Sequence, residues 1–249
     1  MDISMGICYL RKQRGTTEMR SMRDCARITR DAGFRYVDFN GTYLIKDANW
    51  RQLAEEVLHD FDRFGLIIDQ THAIYAYKDI AEADYREYMR RSFELAHMAG
   101  AANIVIHADK YTPDENGYDF DKALTAVYDF YAPYVEYAKK VGLGVAIENL
   151  FDKKLGPRTR FTSLVEEQIA IIDRFADPIV SACWDFGHGK CSYGNDHLDA
   201  MKKLGSRLTC THVHDNNGQS DLHQNLYFNG KIYTITYDKT GEKYGLGKG

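Results

Sequence analysis

Apolar residues fall along this chain in two alternating rhythms. Short runs rich in β-branched and aromatic residues, Ile3 to Leu10, Arg35 to Asn40, Leu66 to Ala73, Ala102 to Ala108, Gly142 to Leu150, Pro178 to Asp185 and Leu208 to Asp215, read as buried strands. Between them apolar positions recur at helical spacing, as in Met19, Met22, Ala26, Ile28 and Ala32, or Leu164, Ile169, Ile171, Ile172 and Phe175, which predicts amphipathic helices. Gly33, Gly65, Gly100 and Gly142 each stand just before a strand, where a left-handed residue ends a helix. The unit is β then α, with strand starts roughly every 30 to 40 residues, so a parallel sheet with helical crossovers is expected.

Seven such strands with no break in composition predict one α/β domain over residues 1–249, a (β/α)8 TIM barrel. The pattern departs from that template after the seventh strand. Leu226 to Tyr237 reads as a β-hairpin turning at Asn229-Gly230, with Ile232, Thr234 and Thr236 alternating, and no further helix-strand-helix follows. The barrel is expected to lack those last elements and the sequence to stop short of its natural C-terminus, because an open edge would expose backbone groups and core side chains. The aromatic hairpin is a candidate lid or contact in a homo-oligomer.

Composition then narrows the function classes. The 44% hydrophobic and 27% charged content and a mean hydropathy of -0.48 are those of a soluble globular protein. A formal net charge of -4 and a pI near 6.1 give no general attraction for a polyanion, which favours a small-molecule partner over nucleic acid. Met1 to Leu10 reads as a strand rather than a secretory leader, and no apolar run is long enough for a membrane. The five cysteines, Cys8, Cys25, Cys183, Cys191 and Cys210, are odd in number and lack C-x-x-C spacing, which argues against a disulfide framework or a zinc knuckle. A cytoplasmic protein is the expectation.

In a (β/α) barrel, ionisable residues at the C-terminal strand ends carry the chemistry. His59, His97 and His197 fall in helical or loop-edge segments and read as solvated. His72, His107, His188, His212, His214 and His223 lie at or just after the ends of strands three, four, six and seven. Strand five ends in Glu148-Asn149 after an apolar run, and a buried carboxylate needs a cation or a dense set of donors. Strand six ends in Asp185 followed by His188, and alternation puts His212 and His214 on one face of strand seven. Glu148, Asp185 and a strand-seven histidine would offer mixed oxygen and nitrogen donors to one divalent metal, Mn²⁺, Mg²⁺, Co²⁺ or Zn²⁺. A network of salt bridges without any ion is the bland alternative.

Ile147-Glu148-Asn149, Asp185-Phe186-Gly187-His188, His212-Val213-His214-Asp215 and Asp221-Leu222-His223 resemble, in order and spacing, the xylose-isomerase-like barrel superfamily, specifically its sugar isomerases and epimerases. The resemblance implies Glu148, Asp185 and His212 as metal ligands, with a further glutamate of the eighth strand that has no counterpart here. It implies proton transfer through an enediolate of a sugar or sugar phosphate, with Glu148 as acid/base and His188 binding a substrate oxygen. His72 and His107 would line the pocket, and Asp221 and His223 would fold over its opening.

The same barrel also resembles the endonuclease IV-like repair enzymes, whose trinuclear zinc pattern is matched by His72, His107, Glu148, Asp185, His188, His212, Asp221 and His223. The sugar reading is preferred because the chain is acidic and short-looped, with a modest basic cluster of Lys153, Lys154, Arg158 and Arg160 that could instead meet a sugar phosphate or simply be solvated. A non-catalytic sugar-binding barrel is the third reading. Tyr9, Phe39, Tyr75 and Trp184 stand near strand ends as candidates to stack on a sugar face or to pack the core.

Overall fold

A computed structural model describes residues 3–12, 17–75, 80–152, 157–214, 216–221, 223, 227–228, 231–235 and 246–248. The apolar runs fold as strands, each shorter than its run: β1 Ser4–Gly6, β2 Tyr36–Phe39, β3 Ile67–His72, β4 Asn103–His107, β5 Gly144–Glu148, β6 Val180–Asp185 and β7 Leu208–His212. Helices alternate with them: α1 Met22–Asp31, α2 Trp50–Arg63, α3 Glu82–Met98, α4 Phe120–Val141, α5 Val165–Phe175, α6 Phe186–Tyr193 and α7 His197–Lys202. The strands follow chain order in one sheet, β1-β2-β3-β4-β5-β6-β7, which is the (β/α) barrel topology without its final elements. β6 is buried along its whole length, as a strand covered on both faces should be, whereas β7 is only partly covered.

Local chemistry sets the boundaries. The Ser21 hydroxyl accepts the Asp24 backbone N–H at 3.0 Å, so α1 starts at Met22 and leaves Met19 outside it, exposed and bridged to Lys12. α4 ends on Gly142 at φ 71°, and Gly33, Gly65 and Gly100 also take positive φ. The first strand is shorter than the sequence pattern predicts. It stops at Gly6, and Ile7–Arg11 winds into a 3-10 helix that buries Ile7 and Leu10 while Tyr9 is 67% exposed. That three-residue spacing belongs to a helix turn and cannot be met by strand alternation. The expected hairpin is represented by β8 Tyr227–Phe228 and β9 Lys231–Ile235, paired antiparallel with Tyr227 opposite Ile232. A short β10, Leu246–Lys248, completes that small sheet. Its turn, Asn229-Gly230, and the outer ends at Leu226, Thr236 and Tyr237 lie outside the described residues.

The chain divides into two compact units, Met1–Ile74 with Lys78–Ile104 and Ile235–Gly247, and Tyr75–Tyr77 with Val105–Thr234 and Lys248–Gly249. In the first, β1 pairs with β2 and β2 with β3 in parallel, Gln70 donates to Asp38 at 3.0 Å, and Phe39 packs edge-on against Phe61 at 5.2 Å. In the second, β5 pairs with β6 and β6 with β7 in parallel over a core of Val105, Ala146, Cys183 and Cys210. Among the described residues no helix is long and apolar enough to cross a membrane.

Candidate metal centre

The C-terminal ends of β5 and β6 are held together by hydrogen bonds that aim the polar residues. Asn149 makes a reciprocal pair with Asp185: its Nδ2 donates to the Asp185 carbonyl at 3.1 Å, and its Oδ1 accepts the Asp185 N–H at 2.6 Å. Gln168, fully buried on α5, donates to the carbonyls of Ile147 at 2.8 Å and Cys183 at 3.0 Å. Thr162 donates its hydroxyl to the Glu148 carbonyl at 3.0 Å from a backbone at φ 65°, a left-handed conformation that a β-branched residue keeps only when its surroundings impose it.

On that frame the Glu148 and Asp185 side chains, 2% and 1% exposed, face a ring of imidazoles. Glu148 Oε2 lies 3.0 Å from His107 Nε2, and Oε1 lies 3.1 Å from His212 Nδ1 and 3.4 Å from His188 Nδ1. Asp185 divides its carboxylate: Oδ1 caps α6 by accepting the His188 N–H at 2.7 Å, while Oδ2 lies 3.0 Å from His214 Nε2 and 3.7 Å from His212 Nδ1. Burial alone would push the Glu148 carboxyl up, but the imidazoles of His212 and His107 and the hydrogen bonds from His107 and His188 outweigh it and hold the group well below the usual carboxylate range. Burial would likewise lower His188, yet its contacts with Asp221 and Glu148 push it up to about 11.

The donor set suits a hard or borderline divalent cation. Donors about 2.1 Å from a shared ion stand roughly 3.0–3.5 Å apart. Glu148 Oε1 to His212 Nδ1 is 3.1 Å, and His212 Nδ1 to Asp185 Oδ2 is 3.7 Å. Glu148, Asp185 and His188 also present donor atoms within 4.8 Å of one another. His212 is the better third donor, because His188 Nδ1 already donates to the Asn149 carbonyl at 2.8 Å. That bond also fixes the orientation of the His188 ring and turns Nε2 toward Asp221 Oδ2, 3.5 Å away.

The loop after β7 brings in a further group. His214, Asp221 and His223 offer donor atoms within 4.8 Å of one another, His223 Nε2 lies 3.1 Å from Asp221, and the rings of His214 and His223 stack at 4.1 Å. Burial opposes the Asp221 charge, but hydrogen bonds from His188 and His223 depress its carboxyl. Gly187 makes room for this arrangement, since a Cβ there would lie 2.0 Å from His214 Cε1 and 2.7 Å from Asn216 Nδ2. Gly187→Ala must displace His214 from Asp185, and such overpacking costs roughly 1–3 kcal/mol. A lowered melting temperature in thermal unfolding is the expected result; an unaltered curve would show that the loop yields freely.

The expected site residues are drawn from both units. Glu148, Asp185, His188, His212, His107, Asp221 and His223 converge within the second unit. His72 lies in the first, at the end of β3, with Nδ1 donating to the Ala73 carbonyl at 2.8 Å. Of the aromatic candidates, Phe39 and Trp184 are core residues with no exposed surface, the packing alternative of their two readings; Trp184 fills the space over Gly189. Tyr75 packs on His107 at 4.8 Å. The sequence reading missed Phe151, whose ring stands 5.1 Å from His188, along with the positioning roles of Asn149, Thr162 and Gln168. Only the adjacency of Asn149 and Phe151 to Glu148 could have pointed to them. Asp215, Leu222, Lys153 and Lys154 lie outside the described residues.

A family model described as xylose isomerase-like TIM barrel matches residues 26–239. The uncharacterized protein y4fM of Sinorhizobium fredii is 23% identical over 236 residues, covering 82% of this chain and 72% of that one. A putative xylose isomerase from Rhodospirillum rubrum superposes with a TM-score of 0.71 at 18% identity, over 90% of this chain and 80% of the other. The 3-keto-D-glucoside 4-epimerase YcjR from E. coli does so at 0.66 and 18%, over 87% and 80%. A D-tagatose 3-epimerase-like protein gives 0.66 and 18%, over 90% and 79%.

Proposed function

The chain belongs to the xylose isomerase-like TIM barrel family, and from that premise we propose that it is a divalent-metal-dependent sugar isomerase or epimerase that moves a proton through an enediolate. The observation that carries this reading is the convergence of Glu148, Asp185 and His212 from three successive strand ends on one small volume. Sharing a fold with proteins named as sugar epimerases supports it.

Glu148, Asp185 and His212 would hold the ion, Mn²⁺, Mg²⁺, Co²⁺ or Zn²⁺. Bound there, it supplies charge stabilisation for oxygen atoms that become negative as a carbon-bound proton leaves. Glu148, kept ionised by its neighbours, takes the proton from one carbon and returns it to the adjacent carbon or the opposite face. His188 presents Nε2 to a substrate oxygen, with its ring fixed through Nδ1 to Asn149. His107 and Tyr75, packed on each other, would wall the site.

Incubation of the metal-loaded protein with ketoses in D₂O tests the reading: deuterium should enter the substrate carbon next to the carbonyl, with about one divalent ion per chain by metal analysis. A second reading, the endonuclease IV-like one, is favoured by the separate group of His214, Asp221 and His223. Three zinc ions per chain with cleavage at abasic sites in DNA would decide for it, and bound metal with no exchange on any sugar would decide for a binding protein.

A further inference from the structure

The loop after β5 carries two arginines whose surroundings differ. Arg158 is committed to its neighbours: Nε lies 3.3 Å from Asp152 Oδ2, Nη2 donates to Glu167 Oε1 at 2.6 Å, and the guanidinium sits 4.3 Å from the Tyr118 ring centroid. Arg160 is anchored through its backbone. Its N–H donates to Asp152 Oδ1 at 3.1 Å, and its carbonyl accepts from the Ser163 hydroxyl at 3.1 Å. Its side chain is exposed, 5.7 Å from the Phe151 ring centroid, and among the described residues no carboxylate lies within ion-pair distance of it. Asp109 is an acidic group whose charge it feels, with no ion pair between the two.

Phe151 also stands 5.1 Å from the His188 ring, so its ring neighbours both the Arg160 guanidinium and a residue of the candidate centre. A six-carbon chain extends roughly 6 Å, enough to keep its reacting carbons near His188 while its far end reaches past that ring. A guanidinium fork on a fixed backbone, exposed and outside ion-pair distance of any carboxylate among the described residues, is suited to a planar or tetrahedral anion.

We propose that Arg160 binds an anionic terminal group of the substrate, a phosphoryl or carboxylate group, so that the substrate is a ketose phosphate or a keto-sugar acid rather than a neutral ketose. The identity of the remainder of the ligand rests on the isomerase reading; the anion site does not. Calorimetric titration of the metal-loaded protein with inorganic phosphate tests the site without turnover. Arg160→Gln should weaken binding on the order of 10- to 100-fold, and Arg160→Lys, which keeps the charge but loses the fork, should weaken it less.

Measurement of kcat/KM for a ketose 6-phosphate, a keto-sugar acid and the matching neutral ketose tests the substrate class. The wild type should prefer one of the two anions, which tells phosphoryl from carboxylate, and Arg160→Gln should lower that preference by a similar factor. Phosphate binding that is absent or indifferent to Arg160, or a wild-type preference for the neutral sugar, would overturn the proposal. Failure of the isomerase reading looks different: no exchange with any sugar, while phosphate binding still depends on Arg160.

Discussion

Glu148→Gln should lower the rate of substrate proton exchange by at least about 10³-fold, because one substitution removes both an anionic donor to the cation and the group that carries the proton. The amide fills nearly the same volume, so the loss reports charge rather than packing. Exchange at wild-type rate in this variant would remove Glu148 from the chemistry. The chelated protein adds a pH signature. Glu148 is depressed, so its stabilisation is present above the ordinary glutamate value of about 4.3 and is lost as pH falls below it. His188 is raised, so its contribution is complete below the ordinary imidazole value of about 6.5 and is lost as pH rises toward about 11. Denaturant unfolding of the chelated wild type should therefore show greatest stability between those two limits. Glu148→Gln should flatten the acid limb and shrink the alkaline one, since His188 loses one of its two acidic partners.

Exhaustive chelation should abolish exchange and lower the melting temperature, with both restored by returning the ion. An ion present at one hundred times its dissociation constant stabilises the folded state by about 2.7 kcal/mol, which in a chain of this size shifts melting by several degrees. The effect is large because Glu148 and Asp185 are almost wholly buried, where carboxylate charge is costly unless a cation balances it. A chelated protein that keeps its full exchange rate would show that the cation has no part in the reaction.

Much of this arrangement was legible before any coordinates because its signals are local. Glu148 and Asp185 interrupt apolar runs at the points where buried strands must end, and His212 and His214 share a face by alternation, so topology alone places them near one another. Other features depend on contacts that no short window of sequence contains. Whether Phe39 and Trp184 point into the core or toward a ligand depends on which neighbours arrive from elsewhere in the chain, and both proved to be interior. Nothing in the sequence marks Gln168, whose amide ties two strand ends once α5 is docked. The early end of β1 followed from a competition between strand and 3-10 periods that Ile7 and Leu10 decide together. Arg158 and Arg160 look alike in a basic cluster, and only the fold gives one of them partners.

The Asp185 carboxyl group has two oxygens with separate duties, one closing the first turn of α6 and one turned toward His212 and His214. In the proposed metal centre, grip on the ion and firmness of the helix start would be a single mechanical property. Selection acting on one cannot avoid changing the other, so variants that loosen α6 to admit a bulkier ligand would surrender metal at the same stroke.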